Sequence, residues 1–156
     1  MDNTVRIDVR GARGKVEVEG RHGVTAKVLL DGEPVRPKKG VFAVPVSGGR
    51  TAEIRLRGLL PGFQKVVVDG EPVVGLGDHV PMVARVTMFA PLLLLVTALF
   101  GTVPGTIGMV LALLLFFMSI MVVKNPDMPV WMRAALPLAN TAAGAVVVLV
   151  FTGALG

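Results

Sequence analysis

Two regimes of hydrophobic patterning meet near Pro81. Before it, apolar and polar residues alternate: Val5, Ile7 and Val9 against Arg6, Asp8 and Arg10, then Val16 and Val18 against Lys15, Glu17 and Glu19. A period of two puts one set of side chains on each face of an extended chain, so each run predicts a half-buried strand. Further strands are predicted over 24–30, 41–46, 51–57 and 63–68, with a strand-like Val73-Val74 after them. Turns at Gly11, Gly14, Gly20, Asp31-Gly32, Gly48-Gly49, Pro61-Gly62 and Asp69-Gly70 separate them. Six or more short strands at roughly ten-residue spacing predict a small antiparallel sandwich or barrel over residues 1–80.

After Pro81 the alternation stops. The only ionisable side chains there are Arg85, Lys124, Asp127 and Arg133, and they divide the apolar sequence into three stretches, about 83–101, 106–123 and 131–152. Each is long enough, as a helix, to cross a hydrocarbon core about 30 Å thick. Residues 81–156 therefore predict a three-helix transmembrane region. Pro91 and Pro137 lie inside the first and third stretches, where they predict kinks. The uncharged 101–105 connection predicts a tight turn. The second connection holds Lys124, Asn125, Pro126 and Asp127, followed by Trp131 and Arg133, an interfacial aromatic and a snorkelling cation.

One pentapeptide occurs twice, Asp31-Gly32-Glu33-Pro34-Val35 and Asp69-Gly70-Glu71-Pro72-Val73, each after a Lys and an apolar triplet. Asp-Gly supplies the positive φ angles of a tight hairpin, and the following Pro suits an edge strand. Two equivalent corners of a duplicated half-domain are expected; paired acidic turns holding a cation are the sharper alternative. Over 24–75, the strand spacing and Asp-Gly turns resemble the immunoglobulin-like and carboxypeptidase-regulatory-like sandwiches of bacteria. That resemblance implies a fold and carries no function.

Charge gives the membrane reading a direction. Residues 1–80 hold thirteen Lys and Arg against ten Asp and Glu, mostly alternating in sign along strands as on a solvated sheet face. In a three-pass arrangement Arg85, Lys124, Arg133 and the basic β domain fall on one side. The positive-inside rule makes that side cytoplasmic and puts the C-terminus outside, in an inner (plasma) membrane. The first ten residues carry four charges and no apolar leader run, in keeping with that orientation. Arg outnumbers Lys ten to six, which points to a GC-rich bacterial genome. The chain has no cysteine, so a disulfide framework and thiolate metal sites are excluded.

Signals for chemistry are sparse. His22 and His79 each stand alone in a turn-like context, without the partners that zinc or general-base catalysis needs. The run 11–15 lacks the spacing and the Ser/Thr of a phosphate loop, and Ser47 has no base in its sequence context. The soluble half offers only Phe42 and Phe63 for stacking on bases, so nucleic acid is not an expected partner. No catalytic, cofactor or metal residues are assigned, and no small-molecule substrate is evident.

The expected role is a non-catalytic binding or scaffolding module that presents a cytoplasmic β domain at the membrane. Ala139, Asn140, Ala143 and Gly144, small residues on one helical face, form a candidate face for packing within the helix bundle or, alternatively, against a protein partner or a second copy. Arg36, Lys38, Lys39, Arg85, Lys124 and Arg133 are expected to contact lipid headgroups. The alternative is a subunit of an oligomeric channel or transporter, although every ionisable residue of this region sits near an interface, so none marks an ion path.

Overall fold

The computed structural model describes residues 3–151. The chain divides into two compact units, Met1–His79 and Val80–Gly156. Among the described residues the first contains eight strands in two antiparallel four-stranded meanders. One runs β1 (Thr4–Ile7), β2 (Val16–Glu19), β3 (Lys27–Leu30), β4 (Glu33–Pro34); the other runs β5 (Val41–Pro45), β6 (Thr51–Arg57), β7 (Lys65–Val68), β8 (Glu71–Gly75). Alternation puts one face of each sheet inward. Ile7, Val9, Val16, Val18 and Val28 from the first half, and Phe42, Val44, Ala52, Ile54 and Val66 from the second, form one core closed by Leu76. Each fully buried aliphatic side chain contributes roughly 1.5–3 kcal/mol.

The halves are copies in register as well as in sequence. An offset of 38 residues carries the β2–β3 pair Val16↔Leu30 onto the β6–β7 pair Ile54↔Val68, and Leu30↔Glu33 onto Val68↔Glu71. The two Asp-Gly corners are two-residue turns with positive φ at both positions, 51° and 86° at Asp31-Gly32, 49° and 95° at Asp69-Gly70. This is the geometry whose twist matches paired strands. The first strand of each half breaks the exact offset: Ile7 faces Val16, whereas Phe42 faces Ile54, so the β5–β6 connection is three residues longer.

The second unit holds α1 (Met82–Thr87), a 3₁₀ segment over Ala90–Phe100, α2 (Thr102–Lys124) and α3 (Val130–Phe151). Among the described residues only α2 and α3 have the length and apolarity to cross a membrane as single α-helices. Instead of the single 83–101 helix expected from sequence, the structure has a short helix, a break and an eleven-residue 3₁₀ run. Burial follows the change of geometry. Met88, Pro91, Leu94 and Thr97 recur every three residues, the first three buried and Thr97 half-buried. That is the eclipsed spacing of a 3₁₀ helix. The Thr97 hydroxyl lies 2.6 Å from the Leu94 carbonyl and 3.1 Å from that of Pro104, tying the end of the 3₁₀ run to the first turn of α2.

Small residues let these segments approach. A Cβ on Gly108 would overlap the Thr97 side chain and lie 2.8 Å from the Leu94 carbonyl oxygen; one on Gly144 would meet Leu94 and Leu115 at 2.8 and 3.0 Å. Pro137, inside α3, is fully buried. The Thr141 hydroxyl, one turn on, donates to its carbonyl at 2.7 Å.

Candidate functional site

The most distinctive surface of the second unit is apolar. Leu93, Leu99, Val103, Leu114, Trp131 and Phe151 are all more than half exposed. Only 33% of the most apolar stretch of α2 is buried, and 17% of that of α3. The core helix of a water-soluble domain would be mostly covered; helices this apolar and this uncovered could cross a membrane.

The basic residues of this unit are turned toward the protein. Arg133 is only 8% exposed; its Nε donates to the Met128 carbonyl and its Nη2 to that of Pro126, both at 2.8 Å, so the guanidinium braces the turn between α2 and α3. Lys124 is fully buried at the last turn of α2, where a cation also complements the helix dipole. Arg85 donates from Nε to the Val80 carbonyl at 3.0 Å. Two of the cations that sequence placed against headgroups, Lys124 and Arg133, are thus turned inward, Arg133 because the 125–129 turn has backbone carbonyls that need donors. Asp127 is exposed.

The small-residue face of α3 is divided. Gly144 is buried against Leu94 and Leu115 within the unit, Asn140 is half-buried, and Ala139 and Ala143 are exposed.

In the β unit, Arg36, Lys38 and Lys39 are all exposed. Lys38 and Val41 exchange both backbone hydrogen bonds, at 2.9 and 3.0 Å, around Lys39 (φ 51°) and Gly40 (φ 78°). A lysine in the left-handed region is unusual, since its Cβ crowds the backbone there. The tight turn holds two cations at its tip.

The acidic corners serve the fold. Asp31 Oδ1 accepts the Lys15 N–H at 2.6 Å, and Asp69 Oδ1 accepts the Glu53 N–H at 2.8 Å. No group of three or more side chains able to hold a metal ion occurs among the described residues. Ser47 Oγ is turned to the Gly11 carbonyl at 3.1 Å. His22 and His79, which sequence treated as separate, come together with ring centroids 6.1 Å apart and planes at 73°. Fifty-six residues intervene, and no local spacing could have paired them.

Sequence reasoning overlooked the loop between β6 and β7. Leu59 at its tip is fully exposed, at 101% of its reference area. Gly58 (φ 147°) and Gly62 (φ 79°) flank it, and the Phe63 N–H closes a turn on the Leu60 carbonyl at 3.1 Å. Across the ladder beneath it, Arg57 stands directly opposite Lys65. Like charges so placed repel, and neither makes an ion pair among the described residues.

Searches against family models, characterised proteins and solved structures gave no match to this chain.

Proposed function

We propose that this chain is an integral inner-membrane protein of bacterial type, whose C-terminal helices hold the β unit at the cytoplasmic face as a non-catalytic binding or scaffolding module. One observation carries the membrane reading: α2 and α3 are long, apolar and mostly uncovered by the rest of the unit. In this reading the β unit is a two-sheet sandwich, as its shared core suggests. The 3₁₀ run makes a third crossing feasible, because eleven residues at about 2 Å each extend some 22 Å and the six of α1 add about 9 Å.

Cysteine labelling tests the topology, since the chain has no cysteine of its own. With three crossings, Ser47→Cys and Asn125→Cys label from the same side and Thr102→Cys from the other. Labelling of Asn125→Cys from the side opposite Ser47→Cys would show that α1 and the 3₁₀ run do not cross. Extraction of the whole protein by alkaline carbonate would overturn the membrane reading altogether.

For the binding role, a protein partner should co-purify in mild detergent and be lost when Ala139 and Ala143 are replaced by bulky residues. Recovery of the bare monomer after crosslinking in membranes counts against it. The uncovered Ala139 and Ala143 also favour a second reading, a subunit of an oligomeric channel or transporter. That reading requires reconstituted protein to raise liposome permeability, and silent liposomes would exclude it.

A further inference from the structure

The strand directions bring three features to one end of the second sheet. β5 begins at Val41 opposite Arg55, so the Lys38–Gly40 turn lies where β6 ends. β6 continues into the 58–64 loop bearing Leu59 and Leu60. β8 ends at Gly75 opposite Lys65, so the chain departs toward the helices from this same end. Residues 36–40 precede β5 directly and bring Arg36, Lys38 and Lys39 there, all exposed and without an ion pair among the described residues. The other end carries both Asp-Gly corners and the 46–50 connection.

The duplication supplies an internal comparison. At the 38-residue offset, the β2–β3 hairpin has Glu17 and Glu19 where the β6–β7 hairpin has Arg55 and Arg57, and Arg21-His22 where the latter has Leu59-Leu60. Glu19 faces Lys27 in a complementary cross-strand pair, whereas the equivalent Arg57 faces Lys65. The backbone pairing is the same; one hairpin is polar and charge-balanced, the other apolar-tipped with a purely cationic collar. From Ile54 to Val68 the chain has three cations and no acid.

We propose that this end of the β unit is a lipid-binding face, on which Leu59 and Leu60 insert into the interfacial layer of an anionic bilayer. Arg57 and Lys65, together with Arg36, Lys38 and Lys39, lie against its phosphate headgroups. The inference rests on the membrane reading above, and two features single out lipid as the occupant. The collar cations have no ion-pair partners among the described residues, so they complement an anionic surface. Only six residues, 76–81, separate β8 from α1; fully extended, they span at most about 25 Å, so the chain's own anchor keeps the β unit within reach of a bilayer.

The test uses the full chain reconstituted in vesicles of neutral phosphatidylcholine, or of the same lipid with added phosphatidylglycerol. Leu59→Cys and, at the opposite end, Ser47→Cys carry an environment-sensitive fluorophore, read against quenchers attached to the lipid chains. The probe at 59 should be quenched in anionic vesicles and released by high salt, which shortens electrostatic range; the probe at 47 should not be. Arg57→Gln should reduce the docked-to-free ratio about fivefold, the worth of one cation near an anionic surface, and Arg57→Glu, which restores the residue type of the first hairpin and reverses the charge, about thirtyfold. Hydrogen exchange of the β6–β7 amides in the same samples confirms that each variant is folded.

Equal, water-like emission at 59 and 47 in both membranes would overturn the inference. So would a probe at 59 shielded by a copurifying protein and unaffected by lipid quenchers. If the protein stays in the membrane after carbonate extraction while 59 remains in water, only the lipid-binding face is refuted; if the protein is extracted, the membrane reading fails first.

Discussion

Replacing Asp31 or Asp69 should destabilise the β unit by nearly the same amount, because the two residues occupy equivalent corners. Each accepts a backbone N–H from the neighbouring strand, Lys15 at 2.6 Å and Glu53 at 2.8 Å, and each sits at positive φ. A hydrogen bond to a charged acceptor contributes about 1.5–3 kcal/mol, and the low end applies to these exposed turns. Putting alanine in the left-handed region adds about 1 kcal/mol. Asp→Ala should therefore cost about 2.5 kcal/mol at either corner, Asp→Gly about 1.5 because glycine accepts the backbone, and Asp→Asn less than about 1 because an amide oxygen still accepts. At roughly 0.05–0.15 kcal/mol per residue, a unit of this size has about 4–12 kcal/mol in all, so the alanine loss is a large share. Hydrogen exchange of β2 and β6 amides in the full chain reads it directly: protection should fall about 60-fold for alanine. If Asn is as damaging as Ala, or if corners 31 and 69 differ by more than about 1 kcal/mol, the side-chain bond is not what holds these corners.

Gly108→Ala should lower the thermal stability of the helical unit by about 1–3 kcal/mol, since the new methyl meets the Leu94 carbonyl as well as Thr97; Trp131 fluorescence in detergent follows the transition, and an unchanged midpoint would contradict the close approach. Arg133→Gln should cost a similar 1–3 kcal/mol and speed amide exchange in the 125–129 turn, and Arg133→Lys should not rescue it, because one ammonium replaces a guanidinium that reaches two carbonyls. Lys39→Asn should stabilise the β unit by up to about 1 kcal/mol, as asparagine tolerates the left-handed region better; loss of stability would mean that the lysine makes up for its strain elsewhere.

Much of the β unit was legible because its signals are local. Alternation fixes which residues face inward, and Asp-Gly fixes where the chain reverses, so β1, β2, β5 and β6 lie within or close to the expected runs. The edge strand β4 was legible only through its Asp-Gly turn and its Pro: with only Glu33 and Pro34, it has no apolar face to alternate. Long-range pairings such as His22 with His79 leave no trace in spacing. Among the cations, sequence could place Lys124 and Arg133 near a turn but could not show that nearby carbonyls would draw Arg133 inside. The first apolar stretch was misread as one α-helix because nearly every residue in it is apolar; the period-three burial of Met88, Pro91, Leu94 and Thr97 is invisible when the positions between them are apolar as well.

The 58–64 loop shows a different kind of legibility. Taken alone, Gly58-Leu59-Leu60-Pro61-Gly62 reads only as a turn. Its meaning comes from the other half of the same domain, once the registers show that residue 57 stands where 19 stands and 65 where 27 does. Two hairpins built on one backbone plan share the same strand pairing, so the change from half-buried Glu19 to exposed Arg57 is not required by that pairing. Glu19 to Arg57 turns an attractive cross-strand pair into a repulsive one, and Leu59 exposes an apolar side chain where its counterpart Arg21 is charged. Both changes cost the isolated unit stability in water and gain it against an anionic, apolar surface. The chain's own membrane-length helices would hold such a surface within reach.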